Sequence, residues 1–99
     1  MSSVEILSKN LNSKPLLKIG GAFDAMSAKL VELNNFDGVW ASSFAISATH
    51  ALPDTSIMTM TEFLGVTKSM VDSCKLPVIA DCDTGFGGTA NVSHMVKKY

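Results

Sequence analysis

Arginine is absent. All 8 basic residues of this 99-residue chain are lysines, set against 9 acidic residues. Without a planar guanidinium fork, the chain has no two-point grip on a phosphate or carboxylate. A net charge of −1 offers no basic field to nucleic acid or to an anionic membrane, so neither is an expected partner. Cysteine is scarce: Cys74 and Cys82 are the only two, in no metal-ligand spacing. That excludes a disulfide framework and fits a reducing compartment. No apolar run approaches the ~20 residues of a membrane helix. The opening Met1-Ser2-Ser3-Val4-Glu5 lacks the basic stretch and apolar core of a secretory signal, and the missing arginine disfavours a mitochondrial presequence. A cytoplasmic protein is expected. What is present is an ordinary globular composition, 46% hydrophobic, in a length suited to one structural unit over residues 1–99 with no internal boundary.

Periodicity divides the chain into a helix followed by three strand-helix units. Residues 2–11 read as a helix with Val4, Leu7 and Leu11 on one face, and Ser2 with Glu5 forms a capping box. Residues 16–19 are a short apolar run ending in a Gly20-Gly21 turn. Asp24 caps a helix expected to point Met26, Leu30 and Leu33 inward. Residues 38–43 form a second run, and residues 45–58 a long loop with Pro53-Asp54 as its turn signal. Residues 59–73 are the clearest helix. Thr59 and Glu62 make a capping box, and Met58 with Phe63 form a hydrophobic staple. After Pro77, a strand over 78–83 runs into Thr84-Gly85-Phe86-Gly87-Gly88. A last helix begins near Ala90, with Val92, Met95, Val96 and Tyr99 on one face. Strands separated by helices at a regular beat imply a parallel sheet with right-handed crossovers. A small flavodoxin-like domain and the first part of a (β/α)8 barrel, which runs to ~250 residues, both fit that order.

In either architecture, chemistry gathers at the carboxyl ends of the strands. On a continuous strand, Asp81 and Asp83 point to one face and Cys82 to the other. Two carboxylates there suit a hard divalent cation, although taken alone the pair is more simply read as one Asp capping the next helix and the other solvated. Asp54 is either a third carboxylate or a plain turn residue. At the second strand end, Ser42 and the backbone N–H groups beside it point to oxyanion binding, with Trp40 as a pocket wall; a core Trp40 and a serine-started loop are the alternative. Ser42 has no histidine or aspartate partner at a triad spacing, so serine hydrolase chemistry is unsupported. Gly85-Phe86-Gly87-Gly88 lacks the spaced glycines of a dinucleotide fingerprint.

Taken together, three strings resemble the isocitrate lyase/phosphoenolpyruvate mutase superfamily, and within it the mutases and phosphonopyruvate hydrolases most. They are Gly38-Val39-Trp40-Ala41-Ser42-Ser43-Phe44, Leu52-Pro53-Asp54 followed by Thr59-Met60-Thr61-Glu62, and Asp81-Cys82-Asp83-Thr84-Gly85-Phe86-Gly87. The resemblance covers residues 16–99. It implies the N-terminal portion of a (β/α)8 barrel, about three βα units after an N-terminal helix. The implied enzyme uses Mg2+ and interconverts phosphoenolpyruvate and phosphonopyruvate. Asp81 would hold the metal directly, and Asp83 and Asp54 through water. Trp40 would line the pyruvyl pocket. Ser42 and the amides of Ser43 and Phe44 would hold carboxylate and enolate oxygens. The resemblance also implies a small 2-oxo acid or phosphoenolpyruvate-like substrate and a homotetrameric full-length form. Two positions depart from the pattern: Ser43 stands where many members have Gly, and Gly88 where Asn is common. The family's fourth-strand acidic residue, catalytic lid and phosphate-binding Arg and His would lie beyond Tyr99, so this chain alone is expected to be an inactive fragment that self-associates. A methylisocitrate lyase-like carbon–carbon lyase, a phosphonopyruvate hydrolase and a non-catalytic truncated chain are the other readings.

Overall fold

Three short strands form one parallel sheet in sequential order in the computed structural model, which describes residues 2–99: β1 (Ile19–Ala22), β2 (Gly38–Ala41) and β3 (Val78–Ala80). The helices are α1 (Ser3–Ser13), α2 (Ala25–Glu32), α3 (Ser43–Thr49), α4 (Met60–Ser73) and α5 (Thr89–Lys98). The register sets Gly21, Trp40 and Ile79 in one row across the sheet, and Ala22, Ala41 and Ala80 in the next. Side chains alternate along a strand. Gly20, Ala22, Val39 and Ala41 are buried on the helix-covered face, while Gly21 and Trp40 stay exposed on the other.

The core is small and well defined. Ala22, Ala28, Val39, Ala41, Ile46, Met58, Phe63 and Met70 are all buried, and the Phe63 ring packs on that of Phe86 with centroids 5.7 Å apart. Both capping boxes form, Ser2 with Glu5 and Thr59 with Glu62. Both staple residues, Met58 and Phe63, lie in the core cluster.

Four local expectations are corrected. Gly20 and Gly21 belong to β1 rather than to a turn. A Cβ at Gly20 would sit 2.8 Å from a Val31 methyl, so the missing side chain is what lets α2 lie close on the sheet. That close approach also selects the face of α2: Ala28 is buried and Val31 packs on the core, whereas Met26, Leu30 and Leu33 are exposed. Residues 45–49, expected in a loop, belong to α3, which starts at Ser43 and whose apolar pattern is too sparse to read but whose Ile46 is buried. Finally, β3 stops at Ala80, three residues before its expected end. No described helix is long and apolar enough to cross a membrane.

Candidate active site

Because β2 and β3 pair in parallel with Ala41 opposite Ala80, their carboxyl ends lie side by side. The Asp81 amide donates to the Ala41 carbonyl at 3.1 Å, carrying the ladder one residue past the strand. The chain then turns, and Asp83 takes φ +49° in the left-handed region. The two carboxylates therefore do not converge by strand alternation. They converge on a hydroxyl from the neighbouring strand end: Ser43 Oγ lies 2.8 Å from Asp81 Oδ2 and 2.9 Å from Asp83 Oδ1. The Asp83 amide donates to Asp81 Oδ1 at 3.1 Å.

The electrostatics of this cluster are lopsided. A hydroxyl carries one proton and donates to one acceptor at a time. The ion pairs among the described residues engage Asp37, Glu32 and Asp72, and neither Asp81 nor Asp83 takes part in one. Two like charges around one proton are a poor arrangement without an added positive group. The donors are all oxygen, and each carboxylate oxygen keeps lone-pair capacity beyond the bonds it already accepts. That chemistry fits Mg2+, which takes hard oxygen ligands and retains water.

The other expected site residues fall in different places. Trp40 is on the sheet face left open by the helices, half-exposed. Ser42 is the N-cap of α3, its hydroxyl accepting from the Ala45 amide at 3.1 Å. The amides of Ser43 and Phe44 lie in the first turn of α3, where backbone N–H groups have no partner within the helix. The Phe44 side chain points to solvent. Asp54 is exposed in the segment after α3. Among the described residues no group of three or more His, Cys, Asp or Glu is placed to hold a metal, so the structure does not gather Asp54 with Asp81 and Asp83. The Cys82 thiol is pushed up by burial, then by Asp81 and Asp83, and stays a neutral thiol at pH 7. The Ser43 hydroxyl is a member of this cluster that the sequence did not single out, only the residue's amide having been named. Its only signal was a polar residue beside Ser42, at a strand end adjoining the Asp81–Asp83 string.

Next to this cluster opens a cavity of about 430 Å³, lined by residues 56–61 with Thr84, Phe86 and Gly87. It shares the Asp83-bearing loop but is lined by none of the expected site residues. The loop is held in a strained course, with positive φ at Gly85, Phe86 and Gly87 as well as Asp83. A Cβ at Gly85 would lie 2.5 Å from a Val92 methyl, so only glycine fits there.

A model of the phosphoenolpyruvate phosphomutase family matches residues 7–99. The chain belongs to that family. It is 36% identical over 99 residues to the phosphonopyruvate hydrolase of Variovorax sp. (strain Pal2), covering 100% of this chain and 34% of that protein. It is 37% identical over 100 residues to the 2,3-dimethylmalate lyase of Eubacterium barkeri, covering 100% and 35%. Among solved structures, a phosphoenolpyruvate phosphomutase from Streptomyces platensis subsp. rosaceus superposes with TM-score 0.94 at 43% identity, over 100% of this chain and 34% of the other. A phosphonopyruvate hydrolase in complex with oxalate and Mg2+ superposes with TM-score 0.94 at 36% identity, over 99% and 35%. The chain thus spans about a third of the length of these relatives, and its sheet is the N-terminal portion of their (β/α)8 barrel. The relatives are enzymes of the phosphoenolpyruvate mutase/isocitrate lyase superfamily. Mutase, hydrolase and lyase stand at comparable identity to this chain.

Proposed function

We propose that residues 1–99 act as one unit supplying the first part of the active site of a Mg2+-dependent, phosphoenolpyruvate mutase-like enzyme. The observation that carries this reading is the meeting of Asp81 and Asp83 on the Ser43 hydroxyl at the carboxyl ends of β2 and β3. The complex of a structural neighbour with oxalate and Mg2+ supports it, since oxalate has the shape and charge of a pyruvate enolate. Asp81 would hold the cation directly, with Asp83 acting through water; Asp54, which is not gathered with this pair, would join through water only if the segment after α3 brought it there. When bound, the cation supplies positive charge to the enolate oxygens.

The remaining roles belong to the chain's own groups. The Ser42 hydroxyl and the amides of Ser43 and Phe44 bind the carboxylate and enolate oxygens as fixed dipoles. Trp40 walls the three-carbon unit on the open sheet face. In the mutase reaction the P–O bond of phosphoenolpyruvate breaks and a P–C bond to the same three-carbon unit forms. A loose phosphoryl transition state asks for positioning and charge stabilisation rather than for a nucleophile, which matches a site with no activated serine or thiolate. Hydrolysis of phosphonopyruvate is the second reading, favoured by the relative at 36% identity over the whole chain. Turnover needs groups from the rest of the barrel, and the full-length form is read as a cytoplasmic homotetramer.

Calorimetric titration of the chain with oxalate in MgCl2 tests the reading. Saturable, Mg2+-dependent binding is expected, lost by more than about 100-fold in Asp81→Ala, because partners of metal ligands are alone worth 10–100-fold. Equal binding by wild type and Asp81→Ala would sink the assignment. In a barrel-length protein carrying these residues, 31P NMR of phosphonopyruvate separates the chemistries. Phosphoenolpyruvate as product marks a mutase, and inorganic phosphate marks a hydrolase.

A further inference from the structure

Ser43 carries more than the backbone amide assigned to it above. The start of α3 does not need its side chain, because Ser42 already caps the helix. Yet Ser43 is 2% exposed, and its hydroxyl, which donates to one acceptor at a time, lies within hydrogen-bond distance of both carboxylates, reaching 38 residues along the chain to Asp81 and 40 to Asp83. Asp83 itself is exposed and sits on a left-handed residue of a strained loop. Little else restrains its carboxylate: the one other bond within the pair runs from its amide to Asp81 Oδ1.

We propose that Ser43 is a positioning residue, whose hydroxyl holds the Asp81 and Asp83 carboxylates in the orientation that receives a divalent cation. The proposal rests on the reading of the site given above. Without the hydroxyl, two like-charged groups lose the donor they share and move apart, the exposed one most. The cation must then regather them, and affinity falls. With the hydroxyl, the pair is assembled in advance, and the lone pairs not directed at Ser43 or at the Asp83 amide remain free for ligation.

The test is titration with MnCl2 alone, followed by EPR of free Mn2+, on wild type, Ser43→Ala, Ser43→Cys, Ser43→Thr and Asp81→Ala, with a thermal melt of each. Ser43→Ala is expected to bind Mn2+ roughly 10–100-fold more weakly while melting cooperatively. Ser43→Cys, which keeps the volume but donates poorly, should follow it, and Ser43→Thr, which keeps the hydroxyl, should recover most of the affinity. Wild-type affinity in Ser43→Ala together with loss in Asp81→Ala overturns the positioning role and leaves the metal reading standing. Binding by wild type no better than by Asp81→Ala overturns both. Failure of both Ser43→Ala and Ser43→Cys to fold makes the hydroxyl a structural group and likewise overturns the proposal.

Discussion

At the amino ends of the strands, Asp37 pairs with Lys14 and accepts from the Lys18 amide, while Glu32 pairs with Lys29 and accepts from the Lys75 amide. At the carboxyl ends, Asp81 and Asp83 share a single hydroxyl and meet no lysine. The first arrangement ties the segments entering β1 and β3 to the rest of the sheet. The Lys14 ammonium, then the Lys18 amide, holds the Asp37 carboxyl below its ordinary value; Lys29, then the Lys75 amide, does the same for Glu32. The second arrangement keeps like charges together without an offsetting cation from the protein, an unfavourable choice for stability alone and a sensible one for a cation site. In a parallel α/β fold the two ends carry different duties, and the placement of the lysines marks which is which.

The sharpest way to break this contrast is through the core that holds both ends. Phe63 is 1% exposed and packs on Phe86 of the Asp83 loop. Phe63→Ala should cost about 3–5 kcal/mol in urea unfolding, enough to leave a domain of this size partly unfolded, and should loosen the acidic pair with it. A smaller effect of opposite sign is expected at the top of the sheet. Asp83→Asn removes one of two like charges and places an amide residue, tolerant of positive φ, at a left-handed position. Stability should rise by about 0.5–2 kcal/mol while Mn2+ affinity falls. A loss of stability in Asp83→Asn would contradict the view that the pair is held together against its own repulsion.

The smallest effect is at the bottom. Asp37 and Glu32 have folded-state pKa values lowered from 3.8 and 4.5, so on acidification the unfolded chain takes up these protons first. Their contribution is complete above the ordinary carboxylate values and disappears as pH falls through the lowered ones. Thermal melts from pH 6 downward should therefore show a modest decline below about pH 4.5, weakened by added salt. In a Lys14→Met, Lys29→Met variant that decline should shrink.

Features built within a few residues were legible in the sequence. Ser2 with Glu5 and Thr59 with Glu62 close hydrogen bonds across three positions, and local spacing alone specifies them. The paired burial of Met58 and Phe63 followed from the same helix start. The face of α2 was misread because the decisive residue, Gly20, lies outside the helix: the room it leaves for Val31, not the apolar stripe of α2, sets the contact. Helix α3 was missed because short Ser/Ala-rich sequence has no strong period, and packing of Ile46 rather than propensity supports it.

The candidate site divides along the same line. The strand-end strings, the Asp81–Asp83 spacing and the family were determined by the sequence itself, since each is a pattern in contiguous residues. Only the tertiary structure decided that β3 ends early, that the acidic pair converges through a turn, and that Ser43 reaches it from 38 and 40 residues away. Parallel pairing of β2 with β3 creates that meeting. A contact made by pairing two distant strands leaves no periodic trace along the chain.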